Sequence, residues 1–499
     1  MTKPTLQKSL GNNFLFTAIA TAIIGLINYG YPLLIGLIYG AEIMAKFSVP
    51  FYWSTILSIP IINGIAPAVA RFLAASSFEK VREFEGEGTR LTSLYLVLLL
   101  AIFPAISLTI LNFSVLTLLI VLFLIALTIF HYLFRKSLQG QEKFSQLIII
   151  EGVSFLFFLP FMVVFSILPE FLDWSNLSSY NFLFLPIIAY HLMFNIIFLI
   201  GKFQEINLRS LLHFSSITKR VLRYAFLIGF GDLLTIGISQ SQIIISDRYL
   251  VDFEVGVLSF LNSAITPITL VSVTLSFMLL PRVTNLQQSE KKLGLPFVNA
   301  VNWGLSLTVF PFIGLLFLII GAYPSFLDVL TFSKYQMTTY WPVLILLIFQ
   351  VINNLLTVPS LAYFAASEKN VLLRMVSSII YTIAIILSWI FLVPRFGIFG
   401  FAGGCAIGGV ISLLTVQTIA LILTKRRIGL QVFFLIGCYA LNGGFIILLD
   451  YWSNALIISL WSVFALPAIL FGGYQLYKIL KQDEYSFRYQ AFEEQKVES

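Results

Sequence analysis

Fourteen apolar runs, each about the 20 residues a helix needs to cross a bilayer, follow one another along this chain. They lie near 14–38, 48–70, 91–111, 113–133, 146–168, 181–201, 224–245, 255–280, 297–321, 341–364, 371–393, 398–424, 430–449 and 455–477. In hydrocarbon every backbone N–H and C=O needs a partner inside the chain, which a helix supplies within one segment. Hydrophobic residues make up 59% of the 499 and charged residues 11%, whereas soluble domains are nearer half apolar and a quarter charged. The expectation is an all-α polytopic membrane protein with 14 spans.

The formal charge of +7 is explained by topology. With the N-terminus in the cytoplasm, Lys46, Arg248, Lys334 and Arg395 fall outside, and the other 26 of the 30 Lys and Arg fall inside. An excess of basic residues in short cytoplasmic loops sets orientation. Both termini are therefore expected inside, in a cell membrane, and no nucleic acid is expected as a partner.

Spans one to six and seven to twelve read as two copies of one unit. Glu142-Lys143 precedes span five and Glu368-Lys369 precedes span eleven, while spans two and eight end at Arg71 and Arg282. Six spans per copy make the repeat parallel, about an axis along the membrane normal. The predicted organisation is an N-terminal lobe at 1–201, a cytoplasmic linker at 202–223 and a C-terminal lobe at 224–424. Spans thirteen and fourteen follow at 425–477, then a cytoplasmic tail at 478–499. The basic linker suits either a helix on an anionic leaflet or an ordinary loop.

The motifs of soluble enzymes are missing: no phosphate-cradling glycine loop ending in Gly-Lys-Ser/Thr, and no His-Glu-x-x-His. Neither metal nor cofactor is called for. Cys405 and Cys438 lie in apolar runs without ligand spacing. Gly400, Gly404 and Gly408, four apart, make a helix face for close packing in lipid. His131 and His191 stand singly and read as structural.

What remains is polar residues in stripes. In "YAFLIGFGDLLTIGISQSQIIISDRYL", Asp232, Thr235, Ser239, Gln242 and Ser246 are spaced by three or four and share one helical face. Thr17, Thr21, Gly25 and Asn28 do so in span one, Asn262, Thr266 and Thr269 in span eight, and Gln350, Asn353, Thr357 and Ser360 in span ten. Such faces turn away from lipid. For a single hydroxyl, an interhelical hydrogen bond of about 0.6 kcal/mol is explanation enough. Four stripes in corresponding spans are better explained by a shared hydrated cavity. Asp232 is the sharpest member, because an acid at mid-span costs roughly 2.5–3.5 kcal/mol on insertion scales. No Lys or Arg occupies the central part of any predicted span, which favours a hydrated or ion-binding position over a paired one. A neutral, hydrogen-bonded Asp232 is the rival.

Four stretches carry a family likeness: "PIINGIAPAVARFLA" in span two, "SDRYLVDFEVGVLSFLNSA" into span eight, "LLPRVTNL" at its end, and "LVPRFGIFGFAGGCAIGGVIS" between spans eleven and twelve. In order and spacing they resemble the polysaccharide flippases of the multidrug/oligosaccharidyl-lipid/polysaccharide exporter superfamily, from about Gly11 to Leu430. The resemblance implies two six-helix lobes around a central cavity, plus two extra C-terminal helices. It implies alternating access and a polyprenyl-linked glycan as substrate, with membrane lipids and glycan-assembly enzymes as partners. On that reading the cavity is lined by Asn28, Asp232, Thr235, Ser239, Gln242, Asn262, Thr266, Gln350 and Asn353, with Asp232 as the ion-coupling group. Arg71, Arg248 and Arg282, at span ends, would meet the diphosphate. Members that handle lipid II often carry basic residues inside the cavity, so their absence here points to a neutral or weakly acidic glycan. The rivals are a cation-coupled multidrug exporter of the same superfamily, a lipid II flippase and, from another class, a lipid-dependent glycosyltransferase. The last is disfavoured because the long external loops hold few carboxylates.

Overall fold

The computed structural model describes residues 19–478 apart from 75–77, 110, 112, 142, 168–178, 203–215, 289–293, 367–369, 425–457, 460 and 464. Thr17, most of the linker, span thirteen and nearly all of the tail lie outside the described residues. Among the described residues there are helices and no strands, as the unbroken apolar runs require. Nine of these helices are long and apolar enough to cross a membrane, or ten if one bent pair counts as a span. The chain is a multi-pass membrane protein.

The helices follow the predicted runs. They are α1 (Ile19–Tyr39), α2 (Ala41–Leu73), α3 (Phe78–Thr109), α4 (Val115–Gly140), α5 (Phe144–Ile167), α6 (Leu185–Lys202), α7 (Ser216–Ser246) and α8 (Asp252–Gln288). After them come α9 (Gly294–Ala322), a short α10 (Pro324–Leu330), α11 (Met337–Ala366) and α12 (Val371–Thr424). The last covers two predicted spans, divided at Pro394 and at Gly397, whose φ of 53° breaks the helical path. Among the helices that extend past their predicted ends, α3 and α4 do so for a common reason. The predicted ends followed hydropathy, whereas α3 begins well before residue 91 and α4 runs to Gly140 because polar residues there find partners on neighbouring helices. Glu87 and Arg90 pair at 2.5 Å on α3, and Arg90 donates to the Thr218 hydroxyl on α7 at 3.0 Å.

Two compact units result. The first comprises Met1–Pro267 with Arg395–Phe401, and the second Ile268–Pro394 with Ala402–Ser499. The core of the first is apolar, with Ile61, Val69, Val121, Ile125, Ile129 and Phe194 fully shielded. Lipid is as apolar as leucine, so helix association here depends on close packing and hydrogen bonds more than on the hydrophobic effect. Gly256 on α8 shows how close that packing is. A Cβ added there would lie 1.8 Å from the Ala41 carbonyl oxygen at the start of α2. Likewise α7 bends by 40° between Leu227 and Gly229, where Gly229 crosses Gly64 of α2 and a Cβ would come within 2.8 Å of the Gly64 Cα.

Both α1 and α2 contain a π-helical turn, at Leu26–Gly30 and Pro60–Ile65. Such turns carry one extra residue per turn and recur at functional sites. The first contains Asn28 and the second abuts α7. In the second unit, α9 packs along α11, and Trp461 donates its indole N–H to the Pro311 carbonyl at 3.1 Å. That bond fixes the start of the last described helix, where Leu318, Trp461 and Ala465 form a small apolar cluster.

Candidate functional site

The stripe of α7 runs from a partly exposed to a buried end. Asp232, Thr235 and Ser239 are partly buried, while Gln242 is 1% exposed and Ser246 is fully buried. The hydroxyls donate to carbonyls of their own helix: Thr235 to Gly231 at 3.1 Å and Ser239 to Ile236 at 2.9 Å. On α8, Asn262 donates to Leu258 at 3.1 Å and Thr266 to Asn262 at 2.9 Å. These bonds occupy donor hydrogens and leave oxygen lone pairs available, a surface rich in acceptors. Asn28, presented by the π turn of α1, donates from Nδ2 to the Tyr132 hydroxyl of α4 at 3.2 Å.

Next to Asn28 and Tyr132, four helices of the first unit meet in a buried ionic network that spacing along the chain does not reveal. At its centre is Glu151 of α5, with no exposed surface. Arg135 of α4 approaches with Nε 3.2 Å from Glu151 Oε1, and its Nη2 donates to Thr21 of α1 at 3.1 Å. The Tyr190 hydroxyl of α6 donates to Glu151 Oε2. His131 Nε2 lies 3.5 Å from Glu151 Oε1, and its Nδ1 is 2.9 Å from Nδ1 of His191. One imidazole must therefore donate and the other accept. The ion pair places Glu151 Oε1, Arg135 Nε and His131 Nε2 side by side, yet none of the three completes a hydrogen bond of good geometry. Among the described residues no group of three or more His, Cys, Asp or Glu could hold a metal ion.

By sequence, no protein-family model and no curated protein matches the chain. Solved structures do. The lipid II flippase MurJ, in an inward closed conformation, superposes with a TM-score of 0.60 at 15% identity over 93% of this chain and 99% of its own. The two chains share a fold. An inward-facing multidrug resistance MATE transporter of the MOP superfamily matches with a TM-score of 0.54 at 13% identity, covering 82% of this chain and 99% of its own. A MATE transporter of Vibrio cholerae gives 0.56 at 11%, over 84% and 97%. The resemblance read from the four motifs thus agrees with the fold.

Within this fold the remaining predicted residues are placed as follows. Gln350 of α11 is buried and donates to the Tyr381 hydroxyl of α12 at 2.9 Å; Asn353, with no exposure, donates to Phe349 at 2.8 Å. Asn302 of α9 donates to Ser360 at 3.0 Å. The α11 stripe therefore bonds to α9 and α12 inside the second unit. Arg71 is exposed, its guanidinium carbon 4.2 Å from the centroid of the Tyr224 ring. The Arg282 side chain is outside the described residues. Arg248 is exposed in the turn after α7, beside Asp247. Burial raises the Asp247 carboxyl above its ordinary value, Asp252 raises it further, and Arg248 partly offsets both.

Two spacings marked helix faces that take part in the ionic network, though not the packing that joins them. His131 and Arg135 are four apart on α4, as are His191 and Asn195 on α6, so each pair shares a helical face. Ending span four at residue 133 left Arg135 in a loop and hid the first pair.

Proposed function

We propose that the protein flips a polyprenyl-linked oligosaccharide or polysaccharide repeat unit from the cytoplasmic to the outer leaflet by ion-coupled alternating access. The observation that carries this reading is the likeness to a lipid II flippase over 93% of the chain and 99% of that structure. The MATE matches cover 82–84% of the chain, which supports the fourteen-span flippase branch over the drug exporters. The amide- and hydroxyl-rich stripes of α1, α7 and α8 fit a glycan, whose hydroxyls need acceptors and donors more than charge. In this proposal Asn28, Asp232, Thr235, Ser239, Gln242, Asn262 and Thr266 line the path, with Gln350 and Asn353 in the second lobe. Arg71, Arg248 and Arg282 meet the diphosphate at the membrane faces. Both termini are cytoplasmic, and enzymes that build and extend the glycan are the partners.

Two carboxylates are candidates for coupling: Asp232 on the stripe, and Glu151 in the buried network. The multidrug exporter is the second reading, favoured by the MATE likeness. Complementation of flippase-deficient cells, together with flipping of defined lipid-linked glycans in proteoliposomes, separates the two. Translocation of a lipid-linked glycan with no export of cationic dyes is expected. Dye export without glycan translocation would replace the proposal with the exporter.

A further inference from the structure

The segment between α9 and α11 is an apolar knob with a rigid backbone. In it, α10 places Phe326, Val329 and Leu330 on one face, and the turn that follows adds Phe332. These side chains are 60%, 70%, 54% and 70% exposed. The segment holds one acid, Asp328, and one base, Lys334. The acid is turned inward, where Asp328 Oδ1 accepts from the Met337 N–H and Oδ2 from the Thr338 N–H at 3.1 Å, capping α11. The Ser333 N–H bonds back to the Asp328 carbonyl at 2.7 Å. Phe332, Ser333 and Gln336 all have positive φ, at 52°, 56° and 48°. Non-glycine residues persist there only where the surroundings over-determine them. Here the Asp328 bonds and the burial of Tyr335 and Met337 do so. The strained reversal holds Phe332 outward on a fixed frame.

We infer that this knob lies in the lipid of the leaflet bordering the Ala322 and Met337 helix ends, at the boundary between headgroups and acyl chains. Three observations favour lipid as its occupant. The exposed apolar face of α9, with Phe312 and Ile319, continues without a break through Tyr323 into Phe326, so the knob extends the surface that already faces acyl chains. Both ends are tied directly to membrane-spanning helices, and a seven-residue helix is only about 10 Å long, so the face stays close to the bilayer. Tyr323 directly follows α9, and the half-exposed Tyr340 and Trp341 lie at the start of α11, the composition of an interfacial aromatic belt. The knob would thereby hold α9 and α11 at a fixed depth.

The test uses the full chain, with Cys405→Ala and Cys438→Ala, in vesicles of phosphatidylethanolamine and phosphatidylglycerol. An environment-sensitive fluorophore is attached at Phe326→Cys, Val329→Cys, Phe332→Cys or, as the aqueous control, Gln336→Cys. Emission at the first three positions should shift to the blue of the control. Lipids brominated near the carbonyl should quench it more than lipids brominated at the chain end. Water-like emission at all four positions would overturn the inference. So would blue-shifted emission that brominated lipid does not quench, since protein would then cover the face. Three labelled positions on two structural turns, each checked for monodispersity, guard against one misfolded variant deciding the outcome.

Discussion

Arg135 and Glu151 face each other between α4 and α5 at 3.2 Å, both almost completely shielded. Inside lipid, neither could be tolerated alone. A buried pair is weak evidence for net stability, but removing one partner leaves an uncompensated buried charge. Glu151→Gln should therefore cost about 3–5 kcal/mol of stability. Adding Arg135→Gln should recover much of that, because the stranded charge is gone. A double-mutant cycle of thermal unfolding in detergent measures the coupling. Additive losses would mean that the two side chains do not act as a pair.

A second prediction concerns the contact between Ala41 and Gly256. With Ala41 O at 1.8 Å from a Cβ at position 256, α8 cannot accept even alanine without moving away from α2. Gly256→Ala should lose about 1–3 kcal/mol, the usual range for overpacking, and Gly256→Val more. Gly473, where nothing lies within 4 Å of an added Cβ, should accept alanine freely. Equal thermal stability of the two alanine variants would contradict the close crossing.

How much of this could be read beforehand differs by level. The helices follow from apolar runs of membrane length, which each carry their own secondary structure. The stripes could be read because three- and four-residue spacing is a property of one helix. The ionic network could not, because Thr21, Arg135, Glu151 and Tyr190 become neighbours only when four helices pack. Hydropathy also misplaced the end of α4, since Arg135 is helical by virtue of a partner 16 residues further along the chain. For the same reason His131 and His191, each unremarkable alone, form a 2.9 Å pair. The α11 stripe shows the converse: its spacing is helical, but its bonds to α9 and α12 are those of packed helices.

The turn after α7 should respond to pH. Asp247 is raised by burial and by Asp252, so its neutral form is favoured in the folded protein. A raised carboxyl contributes stability below its unfolded value of about 3.9, and that contribution is lost as pH climbs through the higher folded value. Compared with Asp247→Asn, the wild type should lose stability as pH rises from about 4. Unfolding of both proteins across that range measures the difference, and parallel curves would show that Asp247 titrates normally.

Asp232 tests the transport proposal most directly. Asp232→Asn keeps the shape and an acceptor but removes the charge, and with it an insertion cost of roughly 2.5–3.5 kcal/mol. If Asp232 couples ions or orients substrate, flipping should fall while membrane abundance holds or rises. Asp232→Glu should retain more activity than Asp232→Asn where titration matters. Gln242→Ala, lower on the same face, should lose less. If Asp232 is instead a hydrogen-bonded structural acid, abundance and flipping should fall together. Measuring both in the same cells, with Glu151→Gln alongside, assigns coupling to one carboxylate or the other. Full flipping by Asp232→Asn at normal abundance would remove Asp232 from the mechanism and leave Glu151 as the coupling candidate.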